Sequence, residues 1–264
     1  MKVTIFSRGI DSHSRMYEQA FAEGLRSHGH DIRFHPWHNK IYHHIDMGVI
    51  WGINNHLLVK HLDNVGIPLV VLERGYIGNR KEWTSCGFDG LNGRANFNNK
   101  HSDSRRLHHI SDYVKPIKKV LGDYNLLVGQ VASDASVKHI NYHRWLDDAA
   151  KTIKKTSRNT PLYFRPHPLE KEPHIPTSID KVLIGTLEKA IDGARCVYSF
   201  NSNVGVDCTL AGVNHSCADE GSMVYKVNLS QRRQWFKNMS YTQWRLSEMK
   251  SGETWNHLKG AIGK

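Results

Sequence analysis

The sequence predicts an α/β protein built as two parallel-sheet lobes facing a cleft. Three observations predict it: apolar runs of strand length, helical periodicity between them, and a second round of the same alternation after Pro116. In the first half, KVTIFS (2–7) reads as a strand, followed by the polar loop RGIDSHS. From Ser14 to His28 the residues Met16, Tyr17, Ala20, Phe21 and Leu25 share a helical face, and Gly29 ends the helix. DIRFHPW supplies a second strand. MGVIWGI (47–53) is apolar throughout, as expected of a strand buried on both faces. HLLVKHLDNVG then reads as a helix ending in glycine, and IPLVVLERG (67–75) as a further buried strand. Short connections of this kind imply a parallel, doubly wound sheet. Residues 78–116, rich in Gly, Asn, Arg and His, are expected to form a long functional loop or an inter-domain excursion.

The second half restarts with the strand YNLLVGQV (124–131). A helix over Tyr142–Lys155 carries Trp145, Ala149 and Ile153 on one side. PLYFRPHP is the next strand, 183–193 a helix, ARCVYSF (194–200) a strand, NSNVGVDCTLAGV a loop and helix, and NHSCAD a short strand. The domain plan is therefore 1–116, 117–230, and a helical tail, 231–264, packing back on the N-terminal lobe through Trp235, Trp244 and Trp255.

The 264 residues suit one large or two modest domains, and 39% hydrophobic with 23% charged residues is an ordinary soluble composition. No run of roughly 18 apolar residues is present, which argues against a transmembrane helix and stable membrane insertion. The N-terminus moves straight into an apolar strand with no signal-peptide pattern, and the four cysteines form no CxxC pair. Reduced thiols and a cytoplasmic location are expected. The net charge of +11 suggests an anionic partner such as nucleic acid, a nucleotide sugar or an acidic glycan without choosing among them, and basic soluble proteins lacking such a partner are common. The histidine-rich stretch 28–44 lacks metal-ligand spacing, so no metal is expected there.

In open parallel sheets, ligands bind beyond the carboxyl ends of the strands. Five polar clusters fall at such ends. RGIDSHS holds Asp11 and His13; ERGYIGNR (73–80) holds Glu73, Arg74, Tyr76 and Arg80. GQVASD (129–134) holds Gln130 and Asp134, RPHP holds Arg165 and His167, and FNSN (200–203) follows Ser199 with Asn201, Ser202 and Asn203. Hydroxyl and amide side chains before the helix VGVDCTLAG are good N-caps. Capping alone explains them, or the helix terminus holds a phosphate, with Gly205 leaving room for close approach. Arg165 offers a planar multi-donor fork and His167 a ring nitrogen, both suited to phosphate oxygens. Pro166 and Pro168 stiffen the backbone around them.

A His-Pro dipeptide after a strand, then a Ser/Asn-rich turn opening a helix that ends in a small residue and Gly, resembles the donor half of GT-B glycosyltransferases. Capsule-polysaccharide-type Kdo transferases and certain bacterial sialyltransferases share the pattern. The resemblance spans residues 67–220 and implies a GT-B-like fold of two Rossmann-like lobes. It implies a nucleotide-sugar donor whose phosphate is held by His167 and the turn with Ser199, Ser202 and Asn203. LERGYIGNR resembles the acidic-x-Gly turn of the first domain in those families, where an acid lies near the acceptor hydroxyl. Glu73 and Gly75 match; Arg74 stands where a second acid is often found, which leaves donor sugar and stereochemistry open.

Glycosyl transfer needs preorganised donors for the departing phosphate and a base for the acceptor hydroxyl. Arg165, His167 and the Ser202 turn supply the first without metal or other cofactor. Glu73 is the leading base, with Asp11 or His13 as alternatives; pairing of Glu73 with Arg74 or Arg80 is the plain competing reading. Asp134 would orient the base or bind a sugar hydroxyl. For the acceptor, the 78–116 segment interleaves Arg80, Lys81, Arg94, Lys100, Arg105 and Arg106 with Trp83, Phe88 and Phe97. That mixture suits a phosphodiester backbone with base stacking. The chain also resembles short phage-encoded glycosyltransferases that decorate hydroxymethylated bases, for which a duplex base must be flipped out. Transfer to modified DNA is thus the first expectation, with Arg74, Tyr76, Arg80 and Arg94 touching the acceptor. A polysaccharide or lipid-linked glycan is the second, and a non-catalytic nucleotide or nucleic-acid binder the third.

Overall fold

The structure, a computed structural model, describes residues 1–7, 12–37 and 44–262, and the backbone alone of Ser12. Asp11 and residues 38–43 of the histidine-rich stretch lie outside the described residues. The chain divides into two compact units, Met1–Ile110 with Gln234–Lys264, and Ser111–Arg233.

The first unit runs β1 (Lys2–Ser7), α1 (Ser12–Ser27), β2 (Asp31–Pro36), β3 (Met47–Trp51), α2 (His56–Asn64), β4 (Leu69–Arg74) and β5 (Thr84–Phe88). Its sheet order, β11-β5-β4-β3-β1-β2, includes a two-residue strand β11 (Gln243–Trp244) from the tail. Strands β1 to β4 are parallel, whereas β5 is antiparallel to β4 and β11 to β5. Every residue of β3 is buried, as its unbroken apolar run predicts. Helix α1 buries Tyr17, Ala20, Phe21 and Leu25 against this sheet, but Met16, assigned to the same face from its spacing, is 42% exposed.

The second unit contains β6 (Tyr124–Val128), α3 (Tyr142–Thr156), β7 (Leu162–Arg165), β8 (Lys181–Val182), α4 (Leu187–Asp192), β9 (Ala194–Ser199), α5 (Val204–Ala211) and β10 (Asn214–Cys217). The sheet order is β10-β9-β6-β7-β8, and every pairing is parallel. Helix α3 covers one face through Tyr142, Leu146 and Ile153. Helices α4 and α5 cover the other through Ala190, Ile191, Val204 and Cys208. The chain winds outward from β6 through β7 to β8, then returns to the far side of β6 for β9 and β10. The switch point of this sheet therefore lies between β6 and β9.

Three expectations are corrected. The 78–116 segment is not a loop throughout: it supplies β5 and three 3-10 turns, Asn92–Arg94, Leu107–His109 and Ser111–Tyr113. The helix expected from residue 183 begins at Leu187, because Lys181–Val182 pair with β7 and Thr186 caps α4 through its side chain. The tail is broken: α6 (Arg232–Met239), β11, α7 (Leu246–Lys250) and α8 (Glu253–Leu258) follow one another, and Trp244 sits in the strand. Trp235, Trp244 and Trp255 are all buried, the last two in the core shared with α1.

Arg106 closes this unit. It is 5% exposed and lies 3.9 Å from the Trp244 ring. Its Nε donates to the Ser240 carbonyl at 2.8 Å, and its Nη atoms bond both oxygens of Glu248.

Candidate active site

The carboxyl edge of the second unit's sheet gathers most of the donor residues foreseen from sequence. Val128 pairs with Arg165, and Leu127 with Tyr198, so Arg165, Val128 and Ser199 form one row across three strands. Two strand spacings put the outer two roughly 10 Å apart. The polar residues just past this row then project from one edge.

At the switch point, Gln130 and Asn201 are clasped. The Gln130 carboxamide donates to Asn201 Oδ1 at 2.9 Å and accepts the Asn201 backbone N–H at 3.1 Å. Asn201 Nδ2 donates to the Ser136 carbonyl at 2.9 Å and to Asp219 Oδ1 at 3.0 Å. Asn201 is 5% exposed and its amide is saturated within the fold, so it shapes the edge from inside. Ser199 is likewise inside, 3% exposed, its hydroxyl 3.5 Å from the Cys217 thiol. All four cysteines are free, and burial raises the thiol pKa values of each.

Ser202 sits further out. Its hydroxyl oxygen accepts the Val204 N–H at 3.3 Å, which leaves the hydroxyl proton available to donate. Asn203 is the N-cap of α5 without a side-chain cap bond. The first N–H groups of α5 are engaged locally: Gly205 bonds the Ser202 carbonyl at 3.2 Å and Val206 the Asn203 carbonyl at 2.9 Å. Gly205 is required for packing rather than for ligand approach. A Cβ there would lie 2.4 Å from Val224 Cγ2 and 2.9 Å from the Cys217 sulfur.

Arg165 and His167 stand on the other side of Gln130. Arg165 donates through Nη2 to the Gly185 carbonyl at 3.0 Å, while its Nε is buried and makes no hydrogen bond among the described residues. Desolvation lowers its pKa, though a guanidinium stays charged. The result is a partly buried cation with an unused donor, a state that an anion would relieve. His167 Nδ1 accepts the Leu169 N–H at 3.2 Å, which puts the ring proton of the neutral form on Nε2. Desolvation, then the field of Arg165, lowers its pKa below the usual 6.5, and Asp134 and Glu170 partly offset this. Near neutral pH the imidazole is a neutral N–H donor. Asp134 is exposed and caps its own turn, accepting the Ser136 N–H at 2.8 Å. A shallow, open recess lies beside these groups, lined by Gly129, Gln130, Tyr142, Phe164, His167 and Glu170. Glu170 Oε2 ties its rim together by accepting the Ala132 N–H at 2.8 Å.

In the first unit, Glu73 is the penultimate residue of β4, half-buried at the carboxyl edge, with Oε1 accepting the Arg74 N–H at 2.9 Å. The turn that follows is held by Gln243, whose Oε1 accepts the N–H groups of Tyr76 and Ile77, both at 2.9 Å. Gly75 allows this turn to close: a Cβ there would meet Trp83 Cβ at 2.5 Å. Arg80 Nε donates to the Gly75 carbonyl at 2.8 Å, whereas Arg74 is exposed. Tyr76 is 4% exposed, and its phenol pKa is raised by burial, which removes it as an acceptor contact. Arg94 is exposed at the end of a 3-10 turn. His13, in the first turn of α1, packs edge-on to Trp51 with ring centres 5.5 Å apart. Trp51 ends β3 directly beside β4.

Sequence reasoning missed two residues here. Gln243 arrives from residue 243 in the tail, and no local pattern marks it. Glu18 is fully buried on α1 and accepts a hydrogen bond from the Ser7 hydroxyl at 2.5 Å. Its signal was available: Glu18 falls three residues before Phe21 and four after Ser14, on the buried face. The 78–116 reading is also corrected. Trp83, Phe88 and Phe97 are 2%, 2% and 5% exposed, so these rings belong to the core and cannot stack on bases. Arg106 is spent on the tail.

No family model matches this chain, and no curated protein matches it. Among solved structures, it is similar to a KpsC beta Kdo 2,4 transferase from Thermosulfurimonas dismutans. That match has 14% identity and a TM-score of 0.60, covering 92% of this chain and 90% of the other. It is also similar to a KpsC beta Kdo 2,7 transferase from the same organism, at 13% identity and a TM-score of 0.54, covering 96% and 98% of the two chains. At these identities the likeness establishes the fold: a mixed α/β chain of the GT-B type.

Proposed function

We propose that the chain is a nucleotide-sugar-dependent glycosyltransferase that transfers its sugar to a glycan hydroxyl. The observation that carries this reading is the unused, buried Nε of Arg165 beside the Nε2–H of His167, at the carboxyl edge of an all-parallel sheet. Both point to an anionic ligand, and the position is the one at which parallel sheets bind nucleotides. Arg165, His167 and the Ser202 hydroxyl would receive the negative charge that grows on the departing phosphate, with no metal required. Glu73 would take the acceptor proton, and the Gln243-braced turn would hold that carboxylate in place. The shared fold with the two Kdo transferases supports the reaction class. A glycan acceptor is favoured over modified DNA because the aromatic half of the expected stacking surface is inside the core.

The test is mass spectrometry of glycan acceptors and of hydroxymethylated DNA, each incubated with the protein and a panel of nucleotide sugars. A mass gain on a glycan that is lost in Glu73→Gln and survives chelation supports the reading. A gain on the nucleoside instead restores the DNA acceptor, and no transfer from any donor removes the reaction.

A further inference from the structure

The opposite edge of the second unit carries a surface that the transferase reading does not use. Residues 113–121 form a strap across the amino end of the sheet. Its backbone is pinned inward: Lys115 N–H to the Leu210 carbonyl at 2.8 Å, and Lys118 N–H to the Gly212 carbonyl at 3.0 Å. The strap then enters β6, with Asp123 N–H on the Gly193 carbonyl at 3.1 Å. Its apolar side chains nonetheless face water. Val120 is 82% exposed, Leu121 49%, Ile117 47% and Tyr113 44%. Four such residues fall within nine positions of one segment, a local concentration of exposed apolar side chains.

Cations surround them. Lys115 and Lys118 are held by Glu188 and Asp192, at 3.1 and 2.6 Å. Lys119 in the strap and Arg195 at the start of β9 are exposed, and neither makes an ion pair among the described residues. Lys155 and Arg158 lie at the end of α3, next to Pro161, whose carbonyl accepts the Asn125 N–H of β6 at 2.8 Å. Asp112 and Asp123 are the nearby exposed carboxylates that make no ion pair among the described residues.

We propose that this strap docks the protein on an anionic lipid surface. The combination of a tyrosine, aliphatic side chains and lysines matches the headgroup boundary, where apolar tips enter the acyl layer and ammonium groups meet lipid phosphates. Nucleic acid would use the cations but gain nothing from exposing Val120 and Leu121. No helix among the described residues is long and apolar enough to cross a membrane. Because the strap lies at the amino end of the strands, docking leaves the carboxyl edge with Arg165 and His167 facing away from the lipid. The proposal does not rest on the transferase reading.

Co-sedimentation of the whole protein with phosphatidylcholine vesicles, with and without phosphatidylglycerol, tests it. Binding is expected only with the anionic lipid, weakening as salt rises. Lys119→Glu should reduce it about fivefold or more, in line with roughly 1 kcal/mol per cation near the surface. Val120→Ser with Leu121→Ser should reduce it at low and high salt alike. These residues are exposed, so unchanged thermal melts would exclude unfolding as the cause. Absence of binding to anionic vesicles at low salt overturns the proposal. So does equal binding by the variants, or a serine double variant that alters only self-association in light scattering. Retention on duplex DNA with no vesicle binding would assign the cations to nucleic acid and overturn it as well.

Discussion

Gln130 and Asn201 hold each other through two hydrogen bonds, 2.9 and 3.1 Å, across the point where the second sheet reverses its winding. They follow β6 and β9, 71 residues apart in sequence, and fix the spacing between the Ser202 turn and the Arg165–His167 segment. Breaking either partner strands buried amide groups. Gln130→Ala and Asn201→Ala should each destabilise the chain by about 1–3 kcal/mol. The double variant should lose clearly less than the sum in denaturant titrations, because one variant already breaks the shared bonds. Strict additivity would show that the clasp is not an energetic unit.

Arg106 makes a second prediction. Its guanidinium is almost fully buried and paired with Glu248 on α7, with Glu253 Oε1 a longer 3.4 Å away, so removing Arg106 or Glu248 leaves a buried charge poorly compensated. Arg106→Met or Glu248→Gln should destabilise by about 3–5 kcal/mol, whereas replacing both together should recover part of the loss. Urea unfolding of the three variants measures this. A single substitution within about 0.5 kcal/mol of wild type contradicts the pairing.

Acid should weaken the fold at an unusually high pH. Desolvation lowers the pKa values of His30, His109, His167, His215 and His257 below the unfolded value of 6.5. For a depressed imidazole the unfolded chain binds more protons between the folded pKa and 6.5, so stability rises with pH across that window. The stability is whole above 6.5 and is lost as pH falls below it. Asp46, Asp103, Asp180 and Asp192 are shifted down from 3.8 by hydrogen bonds and neighbouring cations, so their contribution fades only at much lower pH. The Tm should therefore drop between pH 7 and about pH 5, and substituting His215 or His257 by Gln should flatten the slope. A Tm constant through that interval contradicts the assignment.

Much of this fold is legible in the sequence because its central strands are buried on both faces and show as unbroken apolar runs, as in MGVIW and LLV. Helix α3 is legible as a helix, but the stripe read from its spacing, Trp145, Ala149 and Ile153, is one residue off: Leu146, Ala150 and Ile153 are buried, and Trp145 and Ala149 are only partly so. What stays hidden depends on distant partners. Strand β5 reads as loop because TSCGF has little β-branched character, and it becomes a strand by pairing with β4 and with Gln243–Trp244 far along the chain. Arg106 reads as a free surface cation because its partner Glu248 comes 142 residues later. The site divides the same way. The strand-end positions of Arg165, His167 and Ser202 follow from local pattern, but the inward turn of Ser199 and Asn201 depends on Cys217, Ser136 and Asp219. Proline-braced segments are legible because the proline ring itself limits the backbone.

The central claim is that Arg165 and His167 receive the phosphate of a nucleotide sugar. Calorimetric titration of a nucleotide-sugar panel into wild type, Arg165→Met and His167→Ala tests it most directly. One nucleotide class should bind wild type, with each variant weaker by roughly ten- to a hundredfold at unchanged Tm, as loss of a charged or buried hydrogen bond implies. A donor that binds all three proteins equally, or no donor binding to wild type, would contradict the account.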